Sequence, residues 1–379
     1  MDKTKFESFC NKHVCRGCKF CVRGEKLVLF VGGKCSRNCW YCSLSKNRKN
    51  SPIVYANERP VEKIGDIIRE ARVSNSKGAG VTGGDPFLYF DETLSYVKAL
   101  KKKFGESFHI HMYLPLNLVD KKKLLKMSRY VDEVRFHPSF LIDKSKSLRK
   151  SEIQKIKLAS EIYGRRNCGI ELPCLEDAPL GAPHLAPRGG KREEILSFIG
   201  DVKNYIGFCN LNEFELSETN FDVVTKKYRL NEDTYTVSGS VEAGQWIIKE
   251  VDSKGWDVPV HLCTAKTKDC FQFINRLLKH EILPYGKRTE EGTVVYFAAY
   301  YGEGDKSGTG EGSNGTREEV LNKIKSATKS YFDDEEKMRV IIDMKYVEKV
   351  YKKTKLKIAR VEEHPTYGAE YLEFGYIDE

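Results

Sequence analysis

The chain has 379 residues, enough for two domains or one large domain with an appendix. Its 40% hydrophobic and 11% aromatic content excludes a wholly disordered chain, and no apolar run approaches the ~18 residues needed to cross a bilayer. The net charge of +10 is unevenly spread: residues 1–50 carry 12 Lys and Arg against 3 Asp and Glu, residues 101–170 carry 17 against 7, and the remainder is net acidic.

The N-terminus, MDKTKFESFCNKHVC, has charges where a signal peptide would carry its apolar stretch. Seven of the twelve cysteines fall within the first 42 residues, too clustered for a disulfide scaffold. A cytoplasmic, metal-binding protein with no membrane partner is the expectation. Cys10, Cys15, Cys18 and Cys21 contain the C-x2-C-x2-C core of ferredoxin-type loops, which predicts either an iron–sulfur cluster or a structural zinc, with His13 able to replace Cys10. Because they precede the first strand, they are expected near the N-terminal end of the fold, away from the second cysteine set.

From residue 27 to 264, β-rich runs alternate with amphipathic stretches. Strands are predicted at 27–31, 79–83, 109–114, 133–138, 168–173, 208–217 and 258–263. Helices are predicted at 61–76, 91–104, and near 120–130, 150–166, 191–205 and 241–254. This alternation reads as an α/β fold, a parallel (β/α) full or partial barrel. Read at period two, Ile110, Met112 and Leu114 share one strand face, with His109, His111 and Tyr113 on the other. Arg135 and His137, Glu171, and His261 with Cys263 fall on the corresponding faces of their strands. A lumen kept only for packing would hold Val, Ile and Leu, so a polar one is expected to bind something.

After residue 284 four strands and two helices predict a small α+β domain. The expected organisation is therefore a Cys-rich metal-binding extension (1–26), a barrel (27–284) and a C-terminal domain (285–379). Segment 302–316, with six glycines in 15 residues, lacks the Lys-Ser/Thr ending of a P-loop and reads as a mobile loop.

The chemistry lies directly after the first strand. Cys35, Cys39 and Cys42, at C-x3-C-x2-C spacing, can hold three irons of a [4Fe–4S] cube and leave the fourth open; a zinc site lacking one ligand is the other reading. Cys263 and His261 end the last strand as candidate catalytic residues, Cys263 as hydrogen donor, ligand or buried thiol. Cys168, Cys174, Cys209 and Cys270 are read as ordinary core or surface residues.

Those three cysteines, with Tyr41 before the last, resemble the cluster motif of the radical S-adenosylmethionine (SAM) superfamily. Gly83-Gly84-Asp85-Pro86 is similar to its Gly-Gly-Glu-Pro turn, with Asp for Glu. The runs GCKFCVRGEKLVLFVGGKC, VYANERPV, FHIHMY, DEVRFHP, NLNEFELSETN and VEEHPTYGAEYLEF resemble a mostly archaeal family described as related to pyruvate formate-lyase activating enzyme. The resemblance implies a reduced cluster that cleaves SAM to methionine and a 5′-deoxyadenosyl radical, which abstracts hydrogen from a substrate. It implies that Tyr41 lies near adenine and that residues 83–86 hold the methionine amine. By strand parity, Arg135 is expected at its carboxylate and Glu171 or His137 at the ribose. The partners implied are SAM, a ferredoxin- or flavodoxin-type electron donor, and a protein with a glycine to be activated. The basic regions suggest tRNA instead. The alternative is an iron–sulfur electron-transfer or metal-binding protein without SAM chemistry.

Overall fold

A computed structural model describes residues 1–175, 191–302 and 313–377. It divides into two compact units, Met1–Phe273 and Ile274–Glu379, so the boundary expected at 284/285 falls inside the second unit.

Seven parallel strands build the first unit: β1 (Lys26–Phe30), β2 (Gly78–Thr82), β3 (His109–Pro115), β4 (Glu133–His137), β5 (Cys168–Pro173), β6 (Phe208–Asn212) and β7 (Val260–Cys263). Each pairs with the next in sequence. Parallel neighbours need a crossover, and every connection among the seven carries at least one helix. Ser240–Ser253 is representative: it starts at Gly239 in a left-handed conformation (φ +81°) and buries Ala243, Ile247, Ile248 and Val251, one helical stripe, against the sheet.

The barrel is partial. β1 pairs on its outer side with the antiparallel strand Tyr55–Ala56, and β7 with Phe9–Cys10, so the two edges are covered by short strands rather than by each other. The expected extension at 1–26 is thereby built into the sheet of the first unit. Strand parity holds: Ile110, Met112, Leu114, Val134, Phe136, Ile170, Leu172, Val260 and Leu262 lie in the core between sheet and helices. The run expected to be strand through 217 ends at Asn212, beyond which Glu215 makes only an isolated bridge to Thr236. Downstream of β7 the chain passes through a π-helical segment, Lys268–Phe273.

The second unit is an antiparallel sheet in the order Tyr331–Asp334, Arg339–Ile342, Val294–Tyr300, Ala359–Glu363, Tyr371–Tyr376, with Lys287–Arg288 beside the third. Helices Arg317–Ala327 and Val347–Thr354 cover one face through Val320, Ile324, Val347 and Val350. Of the glycine-rich segment read as a mobile loop, residues 303–312 lie outside the described residues.

Candidate functional site

The lumen opens into a cavity of about 1060 Å³, lined by polar faces of β3 to β7 and by the loops following β1 and β2. Cys35, Cys39 and Cys42 all line it from the loop after β1. That loop is fastened at many points. Arg37, almost wholly buried, pairs with Glu152, donates to the His137 carbonyl, and reaches Asn117 Oδ1 at 2.6 Å. Trp40 Nε1 donates to the Leu141 carbonyl at 3.2 Å, while the Ser217 and Thr219 hydroxyls donate to the Cys42 carbonyl at 3.1 and 2.9 Å. Burial pushes the Cys35 and Cys39 thiols up, the latter against an opposing hydrogen bond from Tyr41, so both are neutral until a metal displaces the proton.

The turn after β2 packs backbone to backbone on this loop. The Gly84 and Asp85 N–H groups donate to the Gly32 and Lys34 carbonyls, each at 2.9 Å. A Cβ on Gly83 would lie 2.6 Å from the Gly32 carbonyl oxygen, and one on Gly84 2.1 Å from that of Lys34. Gly83 also has φ +148°. Both glycines line the cavity. Asp85 and Pro86 differ from expectation: the fully buried Asp85 carboxylate accepts from Ser36 Oγ at 2.6 Å and Phe87 N at 2.9 Å, and the Pro86 carbonyl accepts from Thr93 at 3.1 Å. They shape the turn rather than face the cavity.

Arg135 sits low on the lumen wall, 1% exposed, and its donors are taken by the chain itself. Its guanidinium reaches Glu133 Oε1 at 2.6 Å, Glu171 Oε2 at 3.1 Å, the Tyr113 hydroxyl at 3.2 Å and Cys15 Sγ at 3.2 Å. This network replaces the expected pairing with a ligand carboxylate. Burial raises the pKa of Glu171, but Arg135, His137 and Asn212 outweigh it and keep the carboxyl below its ordinary value. His137 stacks on Tyr113 and, like Glu171, lines the cavity.

Cys263 lines the cavity, its thiol pushed up to about 12 by burial and accepting from Gln272 Nε2 at 3.4 Å. His261 is not among the lining residues; it lies deeper, its Nδ1 2.7 Å from Asn210 Oδ1. Sequence reading missed Asn210, Asn212, Lys268 and Gln272. The two asparagines alternate with Leu211 and were detectable by parity; the other two reach the cavity from the π-helical segment, for which there was no signal.

The N-terminal cysteines are not away from the first set. Cys15 caps the helix Arg16–Val22, which carries Cys18 and Cys21, and these two line the same cavity as Cys35, Cys39 and Cys42. Cys10 is on the edge strand, opposite His261, and does not line it; His13 is exposed. No three His, Cys, Asp or Glu side chains among the described residues are disposed to hold a single metal ion. No helix among them is long and apolar enough to cross a membrane.

The residues at the mouth fit an iron–sulfur cluster with a ligand beside it. Three thiols edge a cavity at the upper end of the roughly 300–1,000 Å³ range of ligand sites, next to a glycine turn that any side chain would obstruct. The profile of the family described as "Radical SAM superfamily" matches residues 29–151. A Methanocaldococcus jannaschii protein, provisionally named a glycyl-radical enzyme activating enzyme, is 36% identical over 288 residues, covering 74% of this chain and 72% of that protein. Among solved structures, the Kitasatospora setae radical S-adenosylmethionine methyltransferase TsrM, with tryptophan and a SAM analogue bound, matches with TM-score 0.35 and 9% identity. That match covers 59% of this chain and 43% of TsrM, and no argument is built on it.

Proposed function

The chain belongs to the radical SAM superfamily, in a family related to pyruvate formate-lyase activating enzyme, and on that premise we propose that Cys35, Cys39 and Cys42 hold its [4Fe–4S] cluster. The observation that carries this reading is one cavity shared by the three thiols, the bare Gly83-Gly84 backbone and a polar lumen.

When bound, the cluster and SAM supply a hydrogen-abstracting 5′-deoxyadenosyl group after one-electron reduction. The protein's part is orientation and exclusion of water. Backbone carbonyls at Gly83 and Gly84 would receive the methionine ammonium, because no side chain shields them. His137 and Glu171 would meet the ribose hydroxyls, and Tyr41 would border the adenine beside Cys39. Arg135 would act through Glu171, fixing its orientation. Asp85 and Pro86 would hold the turn, and Cys263 stands where a hydrogen donor would be needed.

The name of the archaeal relative favours a glycine in a protein partner as the site of hydrogen removal. A second reading, tRNA, is favoured by the patch of Lys121, Lys122, Lys126 and Arg129 on one exposed surface. The same cations would suit an acidic one-electron donor of the ferredoxin or flavodoxin type. Twelve free cysteines accord with a reducing cytoplasm.

The test is 5′-deoxyadenosine formation from SAM by anaerobically reconstituted, dithionite-reduced protein, with Cys39→Ala as control. Product from the wild type alone is expected. Iron-loaded protein whose cluster spectrum ignores SAM, and which yields no product, would transfer the assignment to electron transfer.

A further inference from the structure

Helix Arg16–Val22 closes the lumen from below. A side chain at Gly17 would strike the lumen residues, its Cβ coming within 2.4 Å of Arg135 Nη2 and 2.7 Å of both Glu133 Oε1 and His111 Nδ1. The Gly17 N–H instead donates to Glu133 Oε2 at 3.1 Å. Cys15, Cys18 and Cys21, three residues apart, fall on one stripe of this helix. Cys15 Sγ lies 3.2 Å from Arg135 Nη2, and Cys18 Sγ donates to Asn210 Oδ1 at 3.5 Å. Cys21 lines the cavity together with Lys26, whose ammonium donates to the Ala79 carbonyl at 3.1 Å. Three thiols and two cations thus meet in one buried place.

A second observation points to a ligand there. His111 Nδ1 and His261 Nε2 are buried with no hydrogen-bond partner, in side chains 1% and 3% exposed. His111 abuts Gly17 on the cysteine helix, and His261 shares the Asn210 oxygen with Cys18. Orphaned buried nitrogens on both flanks of a thiol set mark a place where a bound group is missing its protein partners, or they its atoms.

We propose that Cys15, Cys18 and Cys21 hold a second [4Fe–4S] cluster on the lumen floor, its fourth iron open to the cavity to take a nitrogen, oxygen or sulfur donor of the substrate. A single zinc would need its thiols within roughly 4 Å of one another, given Zn–S bonds near 2.3 Å. No such three-sided group exists among the described residues, whereas a cube seats each thiol on a different iron and asks for wider spacing. The cluster has three protein thiolates because Cys10 is carried by the edge strand, its sulfur 4.0 Å from the Lys12 carbonyl and off the cavity lining. Arg135 and Lys26 offset the negative charge that thiolate ligation brings into the lumen. The substrate role rests on the radical SAM reading of the mouth of the same cavity. It names a substrate class, one carrying a free amine, carboxylate or thiolate near the hydrogen removed. A backbone glycine brings no such donor, so small substrates are favoured over a protein glycine.

The test is metal content and electron paramagnetic resonance of anaerobically reconstituted full-length protein. Three variants are compared with the wild type: Cys15→Ser/Cys18→Ser/Cys21→Ser, Cys35→Ser/Cys39→Ser/Cys42→Ser, and Cys10→Ser. About eight irons per wild-type chain are expected, and about four in each triple variant, the retained four reporting that the variant folds. Cys10→Ser should keep about eight. Imidazole, as a probe donor, should shift the reduced signal of the variant lacking Cys35, Cys39 and Cys42. Should the first triple variant not fold, Cys18→Ser alone is read by loss of that imidazole-sensitive signal. About four irons in the wild type, or one zinc in place of the second cluster, would overturn the proposal. So would a second cluster that needs Cys10 and ignores imidazole. Failure of the reading at the mouth is a different pattern: iron lost on removing Cys15, Cys18 and Cys21 but undiminished on removing Cys35, Cys39 and Cys42.

Discussion

The Ser36 hydroxyl donates to the Asp85 carboxylate at 2.6 Å, so the cysteine loop after β1 and the glycine turn after β2 are held as one piece. The other Asp85 oxygen accepts the Phe87 N–H at 2.9 Å, and the carboxylate is fully buried. Asp85→Ala leaves a hydroxyl and an N–H without their acceptor, which costs about 1–3 kcal/mol. The expected outcome is a lower denaturation midpoint together with iron content reduced at Cys35, Cys39 and Cys42. Asp85→Asn, which keeps both acceptor positions only in part, should fall between. Unchanged iron in a destabilised Asp85→Ala protein would show that the link is structural alone.

Gly84→Ala tests the turn itself. The added methyl would meet the Lys34 carbonyl oxygen at 2.1 Å, a backbone atom with no freedom to yield, so turn and loop must separate. SAM affinity, followed by the change it induces in the cluster spectrum, should fall at least tenfold, with about 1–3 kcal/mol of stability lost. Gly105→Ala is a control for glycine loss in general: its positive φ of 84° carries strain, but nothing lies within 4 Å of the new methyl. It should leave SAM affinity unchanged.

How far these features could be read from the sequence depended on whether a period encoded them. Ile110, Met112 and Leu114 against His111 and Tyr113 declare a two-faced strand, because alternation is intrinsic to the pleat. Cys35, Cys39 and Cys42 were legible because one short loop must present all three. Closure was not: whether β1 meets β7 turns on Tyr55–Ala56 and Phe9–Cys10, two-residue strands too short to carry a pattern. The direction of Asp85 was also hidden, since a turn side chain is aimed by its tertiary partner, here Ser36. Arg135 offered a free cation by parity, yet Glu133 two residues earlier, on the same strand face, and Glu171 on the next strand claim it. The helix of Cys15, Cys18 and Cys21 was placed too far from the mouth because its docking depends on the bare Gly17 fitting against Arg135 and Glu133, a contact no local spacing encodes.

Acid sensitivity follows from the buried imidazoles. Burial first, then the nearby Arg135, holds His261 down to about 4, and burial with Arg135 and Lys26 pushes His111 lower still. In the unfolded chain each takes a proton near pH 6.5, while the folded protein refuses it until the depressed value is reached. The unfolded state therefore binds more protons between about pH 6.5 and 4, and stability must fall as pH falls through that window. Each such histidine contributes a slope of about 1.4 kcal/mol per pH unit. Guanidinium midpoints at pH 7, 6 and 5 should show the decline above the range where carboxylates titrate, and His261→Gln should remove about one proton from it. A flat profile down to pH 5 would contradict neutral burial.

Arg37 and Glu152 separate stability from positioning. Their side chains are 3% and 2% exposed and form an ion pair, with Glu152 also accepting the Ser139 N–H at 2.9 Å. Arg37→Ala abandons a buried carboxylate and should cost about 3–5 kcal/mol, whereas replacing both partners with apolar residues of similar size, Arg37→Met with Glu152→Leu, should recover most of it. Recovery of the fold should not bring recovery of the site. Arg37 also fastens the cysteine loop to Asn117 and to the His137 carbonyl, and methionine donates to neither. The double variant is therefore expected to unfold near the wild-type midpoint but to bind SAM at least tenfold more weakly and to lose iron faster on exposure to a chelator. Wild-type SAM affinity in that variant would mean that the remaining ties, from Ser36, Trp40 and Thr219, hold the loop without Arg37.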